Sequence, residues 1–419
     1  MPRTAEIIAV GSELLTGGVT NTNARFLSEL LTAAGVDVLY HTAVGDDESR
    51  LEAAVTAARQ RAELLVCTGG LGPTYDDMTK TAVCAALDTP LVFHPDIVPD
   101  IRRYFDTVFH REMPACNLQQ AYLPQGCTVF RNPVGTAPGC AFTAGGVTAV
   151  LLPGVPSECR YLAEHCLLPY LARLHGQVIR SHDLRIFGLT EPQVQELLSD
   201  LLRREDDLTL APYAGTGEVS LHLSARAANE AACEARMAPL LAEVRQRLGG
   251  CLYGEDISGL EEAVFRLCRD RHLTLSAAES CTGGLIAKRL TDVPGASQIF
   301  LGGVVSYTNE VKNHVLGVPA SLLEAYGAVS APVARAMAVG VRVLTGSDLA
   351  VSVTGLAGPG GDDRGTPVGT VFTALSAPEG VFVRRLTLGG SRERIRVLSA
   401  HHAFDLLRRY LTDQMTEGE

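Results

Sequence analysis

A serine at the joint between an apolar run and a glycine-rich turn is the first feature of this chain that could do chemistry. Leu273 to Arg289 reads LTLSAAES, CTGG, LIAKR. This apolar run, polar elbow and amphipathic run predict a buried strand turning sharply into a helix. Ser280 sits at the turn, with Thr282, Gly283 and Gly284 just behind it. A hydroxyl there faces the N–H groups of the helix start, which favour developing negative charge. Ser280 can then act as a nucleophile whose oxyanion hole comes from its own turn. The competing assignment is an N-cap serine. Cys281 is the rival nucleophile, because the same helix dipole activates a thiolate. Tyr307 and Lys312 follow in SYTNEVKNHVLGV, just past a run predicted to be a neighbouring strand. A lysine made neutral by burial can deprotonate a serine, and a tyrosine can relay or position the proton; a solvated helix lysine is the alternative. No histidine stands at motif spacing, so the pattern favours Ser-Lys over Ser-His-Asp. Thr354 runs into GLAGPGG (Gly355–Gly361), a backbone that can cradle a phosphate while the Thr354 hydroxyl donates to it. Arg392, Arg394 and Arg396 alternate in SRERIR. One can fork onto a phosphate or carboxylate, and the other two are predicted to be solvated.

A second set of residues lies near the amino terminus. Thr68-Gly69-Gly70-Leu71-Gly72-Pro73-Thr74 follows a predicted strand and precedes a predicted helix. Three glycines in four residues let backbone N–H groups converge on an oxyanion. Asp76 and Asp77 come next, and paired carboxylates beside such a cradle suit a metal-assisted phosphate or pyrophosphate ligand. The alternative is a tight turn capped by aspartates. Four such segments occur in this region: Gly11–Asn23, Thr68–Asp77, Asn132–Gly139 and Pro153–Glu158. Glu13 and Asn21–Asn23 can supply oxygen ligands or ribose hydrogen bonds, or Asn21 or Thr22 can simply cap a helix.

The elements that must hold these residues alternate. Predicted strands are Ile7–Val10, Val36–Tyr40, Leu64–Thr68 and Val147–Leu152; predicted helices are Thr22–Ala34, Arg50–Arg61 and Thr79–Leu87. Strands alternating with helices imply parallel βαβ units, which bind ligands at the carboxyl ends of their strands. From about His175 the texture changes. Val178–Phe187 and Val219–Ala227 alternate like half-buried strands, and Glu191–Arg204 and Asn229–Leu248 read as amphipathic helices. A linker is expected near Gly254–Gly259, then a helix from Leu260 to Arg271. A second α/β region follows, with strands Leu273–Ala278, Ile299–Ser306, Leu349–Val353, Val368–Leu375 and Val381–Leu388, and a last helix from Arg392 to about Leu411. The predicted fold is therefore α/β: two three-layer α/β domains with mainly parallel sheets (residues 1–172 and 254–419) joined by a small α+β domain (residues 173–253).

Composition bounds the possibilities. A chain of 419 residues with 46% hydrophobic residues can bury substantial cores. No apolar run reaches the ~18 residues needed to span a bilayer, and Glu6, Gly11, Ser12 and Glu13 interrupt any signal-peptide core; a cytoplasmic protein is expected. Eleven cysteines without a C-x-x-C pair fit a reducing compartment and small core roles. A net charge of -11 argues against direct binding to nucleic acid or to an anionic membrane.

The motifs together resemble the competence/damage-inducible CinA family over essentially the whole chain. Those that carry the resemblance are VGSELLTGGVTNTN, TGGLGPTYDDMT, NPVGTAPG, PGVPSE, AESCTGG, GGVVSYTNEVK, GAVS and TGLAGPGG. The first region is similar to the MoaB-like molybdopterin-binding fold, which in this family implies metal-dependent ADP-ribose pyrophosphatase activity. The middle region resembles a KH-type module, and the last resembles the nicotinamide mononucleotide (NMN) deamidase. For the deamidase, the resemblance implies Ser280 as nucleophile, Lys312 as its base and Tyr307 assisting, with Ser297, Thr354, Arg394, Gly283 and Gly358 around the substrate. For the first region it implies a nucleotide site at Gly69, Gly70, Gly72, Thr74, Asn23 and Gly135. A divalent metal of the magnesium or cobalt type, with potassium as a candidate companion, would sit at Asp76 and Asp77; the deamidase needs no cofactor. NMN and ADP-ribose are the implied small-molecule partners, a homodimer the implied assembly and a recombinase a further candidate partner. Gln119 stands where relatives commonly carry lysine or arginine, which predicts a weaker pyrophosphatase if that cation contacts phosphate. The KH-like region lacks a G-x-x-G loop, its nearest segment being Gly215–Glu218, so a spacer or dimer element is expected there rather than an RNA site. A molybdopterin-handling protein and a non-catalytic competence or DNA-repair partner are the competing readings.

Overall fold

A computed structural model describes residues 4–175, 178–205 and 207–415. The chain forms two compact units: Met1–Ser181 with Arg203–Thr209 and Leu223–Leu240, and His182–Leu202 with Leu210–His222 and Leu241–Glu419.

The first unit is built on β1 (Thr4–Val10), β2 (Asp37–Val44), β3 (Leu64–Thr68), the short pair β4 (Leu91–Phe93) and β5 (Tyr122–Pro124), then β6 (Thr128–Phe130), β7 (Gly139–Ala144) and β8 (Val147–Leu152). Six of these form one sheet in the order β2-β1-β3-β8-β7-β6. Strands β1, β2, β3 and β8 run parallel; β7 and β6 are antiparallel additions. The turn chemistry forces the β7–β8 reversal. Only Gly145 and Gly146 lie between the strands, both with positive φ (58° and 83°), as a tight hairpin requires. The central strands are buried on both faces, and β3 (LLVCT) and β8 (VTAVLL) read as continuous apolar runs for that reason. Alternate residues serve alternate layers. Ile8, Leu65 and Cys67 pack with Leu51, Val55 and Val83, whereas Ile7, Leu64 and Val66 pack with Leu27, Leu31 and Leu162. This gives three layers, with helices on both faces.

The middle region holds a five-stranded sheet in the order β10-β11-β12-β9-β13, from β9 (Val178–Phe187), β10 (Arg203–Arg204), β11 (Leu208–Ala214), β12 (Glu218–Ala227) and β13 (Leu252–Glu255). Two expectations fail here. The helix starting at Glu191 ends at Leu197 instead of reaching Arg204. Leu198 accepts hydrogen bonds from the amides of both Leu201 and Leu202, and Arg247 grips Asp200, so the chain turns into β10. Part of the expected linker is also strand: Gly254 and Glu255 pair with β9.

The second unit carries β14 (Leu275–Glu279), β15 (Phe300–Val305), β16 (Leu349–Gly355), β17 (Thr370–Ala377) and β18 (Gly380–Thr387), in the order β15-β14-β16-β17-β18. Strand β14 is parallel to both neighbours, while β17 and β18 are antiparallel. Two residues, Pro378 and Glu379, separate that last pair, too few for a parallel crossover. Leu275, Ala277, Val351 and Val353 pack with Leu260, Val264 and Phe404. Ala278 and Ala350 pack with Val333, Met337 and Val341 on the other face. Among the described residues no helix is long and apolar enough to cross a membrane. All eleven cysteines are free, and most are buried.

Candidate active site

Strand β14 lies between β15 and β16. The chain leaves it towards one neighbour and later returns on its other side, so its carboxyl end is a topological switch point, where ligands bind in open α/β sheets. Sheet register puts Glu279 opposite Val305 and Val353, so Ser280, Ser306 and Thr354 follow at one level.

The Ser280 elbow differs from a simple cap. Ser280 N–H donates to the Val353 carbonyl at 2.9 Å and Gly283 N–H to the Ser280 carbonyl at 3.1 Å. The helix that follows, Leu285–Thr291, takes Gly284 as its N-cap in the left-handed region (φ 95°). Its first amides are claimed by Glu279, whose carboxylate accepts from Gly284 (2.9 Å), Ile286 (3.1 Å) and Ala287 (2.9 Å). That side chain is 1% exposed. Two expectations are corrected by this. Ser280 is not the cap, and the helix-start amides do not face its hydroxyl. Among the described residues the amides of Cys281 and Thr282 donate to no backbone carbonyl, which makes them the candidate oxyanion donors of the turn. Arg396 donates from Nε to the Cys281 carbonyl (3.1 Å) and from Nη2 to the Thr282 carbonyl (2.8 Å), which pins the peptide unit that carries the Thr282 amide, while the Gly283 N–H on the Ser280 carbonyl holds the unit that carries the Cys281 amide.

The structure brings Lys312 to Ser280. Lys312 Nζ lies 3.0 Å from Ser280 Oγ and donates to the Ser306 carbonyl at 2.6 Å. Lys312 is 1% exposed and Ser280 8%. A six-residue helix, Asn309–His314, carries the lysine inward, its start capped by Thr308. No carboxylate pairs with Lys312 among the described residues. Burial holds its ammonium down to about 8, against the opposing pull of the Cys281 thiol. Burial pushes the Cys281 thiol up to about 11. It is therefore protonated at neutral pH, which counts against it as the nucleophile.

The remaining predicted residues divide. Tyr307 is 57% exposed and its hydroxyl receives Arg392 Nη2 at 2.9 Å, with no hydrogen bond to Ser280 or Lys312. Arg392 also donates to the Gly358 carbonyl. Gly358 has φ 85°, a conformation that glycine supplies. The Thr354 hydroxyl is buried and donates to the Ala328 carbonyl at 2.8 Å, so it braces the wall rather than meeting a ligand. Gly283 (φ 59°) completes the elbow, and a Cβ there would come within 3.4 Å of Arg396. Arg394 is exposed, its backbone N–H bonded to Ser391 Oγ, and no side-chain bond holds its guanidinium among the described residues. The expectation of one engaged and two solvated arginines is thus overturned: Arg392 and Arg396 are tied, and Arg394 alone is open. Ser297 is not brought to Ser280. It sits on an exposed turn just before β15, where Ile299 bonds Leu275 at the amino-terminal end of β14, the opposite edge of the sheet.

In the first unit, the loops meet at the carboxyl edge of β1, β3 and β8. The Asn23 amide donates to Thr68 Oγ1 (3.0 Å) and to the Gly154 carbonyl (2.8 Å), so it struts the loops together; Asn21, not Thr22, caps the following helix. Gly69 has φ 106°, and a Cβ would lie 2.1 Å from the Val10 carbonyl oxygen; one on Gly70 would lie 2.3 Å from Thr79 Oγ1. Asp77 braces the loop, accepting from Gly72 N–H (2.7 Å), Thr74 N–H (2.8 Å) and Thr74 Oγ1. A Cβ on Gly72 would strike that carboxylate at 2.4 Å. Asp76 is exposed. No cluster of three or more His, Cys, Asp or Glu residues placed for a metal occurs among the described residues. Gly135 leaves room for Glu158, whose carboxylate accepts from Asn132 at 2.6 Å and is raised from the usual range by burial. Glu158 was visible in the sequence only as the end of the Pro153–Glu158 segment, and Lys80 carried no sequence signal. Lys80 is 4% exposed, donates to the Gln119 carbonyl at 2.7 Å and is lowered by burial to about 8. A buried cation therefore does lie against the NLQQA segment, from another element.

Three domain families match in series: the probable molybdopterin binding domain over residues 6–173, the damage-inducible protein CinA KH domain over 181–254 and the CinA C-terminal domain over 257–411. A putative competence-damage inducible protein of Acetivibrio thermocellus is 45% identical over 407 residues, 97% of this chain and 98% of that one. The chain belongs to the CinA family. A CinA-like protein of Desulfovibrio desulfuricans is 46% identical over 418 residues, covering 99% of this chain and 97% of its own. Among solved structures, a CinA superfamily protein of Klebsiella pneumoniae aligns with 37% of the chain and 96% of its own length, at 33% identity and a TM-score of 0.36. For a CinA-family chain, the Ser280 elbow and its lysine fall inside the matched C-terminal domain, and the glycine-rich loops inside the molybdopterin-binding-like one.

Proposed function

We propose that the second unit is an amidohydrolase that acts on NMN, releasing nicotinic acid mononucleotide and ammonia. The single observation that carries this reading is the 3.0 Å contact between a buried amine without a carboxylate partner and the Ser280 hydroxyl. Neutral Lys312 takes the Ser280 proton as Oγ bonds to the carboxamide carbon. The amides of Cys281 and Thr282 hold the oxyanion. Lys312 then returns that proton to the departing nitrogen, the C–N bond breaks and ammonia leaves an acyl-serine. Water attacks the ester while Lys312 accepts one of its protons, and collapse frees the carboxylate and re-protonates Ser280. Arg394, the open guanidinium, supports recognition of the nucleotide phosphate. The test is ammonia release from NMN by the purified full chain. Loss of about 10³-fold or more in Ser280→Ala and in Lys312→Ala, with folding intact, supports the reading; unchanged release in Ser280→Ala removes it.

For the first unit we propose a nucleotide pyrophosphatase that cleaves ADP-ribose to AMP and ribose 5-phosphate. The braced glycine loop and the strutted β3 and β8 ends support it, since three positions there admit no Cβ. A magnesium- or cobalt-type cation fits Asp76 better than Asp77, whose oxygens already accept three hydrogen bonds. Magnesium commonly takes one or two carboxylates plus substrate phosphates and supplies charge neutralisation there. AMP formation from ADP-ribose that requires divalent metal supports this reading; metal-independent cleavage overturns it.

A further inference from the structure

Arg392 touches two walls of the deamidase site at once, and neither contact follows from its sequence neighbourhood. Its Nη2 donates to the Tyr307 hydroxyl at 2.9 Å, 85 residues away in the chain. Its Nη1 donates to the carbonyl of Gly358, at the head of the glycine-rich turn. The two acceptors belong to the loop after β15 and the loop after β16, the strands that flank β14. A planar guanidinium spans two acceptors with donors fixed in a fork, a wider and more rigid reach than the single nitrogen of an ammonium.

The contact also sets the direction of the phenol's hydrogen bond. A guanidinium has no acceptor to offer. The Tyr307 oxygen therefore accepts from Arg392, and its own proton is left for a different acceptor. Tyr307 directly follows Ser306, whose carbonyl receives Lys312 Nζ, so the phenol stands at the nucleophile's end of the site. Its 57% exposure leaves that O–H open to a ligand.

We propose that Arg392 is a positioning residue that makes Tyr307 a hydrogen-bond donor to the carboxamide oxygen of the substrate and fixes the Ala357–Gly361 turn as the facing wall. Tyr307 then has no part in accepting the Ser280 proton. The role differs from that of Arg394, which meets the phosphate, and of Arg396, which pins the elbow. The inference rests on the deamidase reading, and its test separates the two.

With NMN as substrate, Tyr307→Phe and Arg392→Ala are each expected to lower kcat by about 10²-fold while KM moves by less than about threefold, the pattern of a lost transition-state donor. The double variant is expected to be no slower than the slower single variant, because both remove the same interaction. Arg392→Lys is expected to recover little, since the single nitrogen of an ammonium lacks the fixed fork that reaches both acceptors. Multiplying single effects, or a rise in KM alone in Arg392→Ala, overturns the proposal. Amide hydrogen exchange needs no turnover and is read in parallel. Arg392→Ala is expected to speed exchange across Ala357–Gly361, and Arg394→Ala is not. Unchanged exchange in Arg392→Ala overturns the clamp. Absence of ammonia release by the wild type, with the exchange result as expected, defeats the deamidase reading and leaves the clamp standing.

Discussion

Lys312 carries its amine into a site where no carboxylate balances it among the described residues, and on the proposed chemistry its protonation should govern both turnover and stability. With its ammonium lowered to about 8, the rising limb of a kcat/KM–pH profile for NMN should titrate near there, because only the neutral amine can take the serine proton. A profile flat from neutral pH to well above 8 would contradict this. The same lysine has a stability signature. Its folded value lies below the unfolded 10.5, so between the two values the unfolded chain holds a proton that the native chain has lost, and stability rises with pH in that window. Below about 8 the burial penalty is fully present, of order ~3 kcal/mol at 1.36 kcal/mol per unit. Lys312→Met should be inactive, and its Tm relative to wild type should fall as pH goes from 7 to 10. A Tm difference constant across that range would place the ammonium in water. The serine was legible in the residues themselves, and the lysine's partnership came chiefly from family resemblance. Nothing in LTLSAAES announced that Glu279, not Ser280, would serve the helix amides, because a carboxylate at the end of a strand usually faces water.

At the scale of elements, the Ser280 elbow is held by charge on both sides, and each brace comes from a place that local pattern does not reveal. From inside the sheet Glu279 satisfies the amide of the N-cap Gly284 and two amides of Leu285–Thr291. Hydrogen bonds to a charged acceptor are worth roughly 1.5–3 kcal/mol each, and orphaned buried donors cost similar amounts. Glu279→Ala should therefore lower stability by about 3 kcal/mol or more and reduce turnover through a loosened elbow; thermal unfolding and ammonia release read both, and a wild-type Tm would refute the brace. In the first unit, Gly69→Ala places a methyl group 2.1 Å from the Val10 carbonyl oxygen at φ 106°. It should abolish AMP binding by calorimetry, whereas retained binding would show that the loop relaxes and is no rigid cradle. The strands themselves were readable: β3 and β8 occupy their expected residues because their apolar runs are unbroken, and β9 does so because its residues alternate. The early end of the helix from Glu191 was not, since Leu198 turns the chain with help from Arg247, 47 residues beyond Asp200.

At the scale of the whole molecule, each three-layer unit places its candidate chemistry where its own sheet reverses connection, so strand order, not proximity in sequence, gathers the residues. That order also separates them. Ser297 carries the residue type expected by resemblance, yet parallel pairing of β14 and β15 puts it at the far edge from Ser280. Strand direction is what sequence spacing could not weigh, as it could not foresee the three separate tasks of Arg392, Arg394 and Arg396. The fold class was legible from alternating strands and helices, whereas the hairpins closed by two-residue turns emerged only with the strand bounds. In the proposed reaction Ser280 Oγ is the atom that forms the covalent bond. Intact-protein mass spectrometry after rapid acid quench with NMN, followed by peptide mapping, tests it directly. A transient adduct of NMN less ammonia is expected on Ser280, absent in Ser280→Ala and retained in Cys281→Ala. Turnover with the adduct on Cys281, or turnover with no adduct under any quench interval, would contradict it.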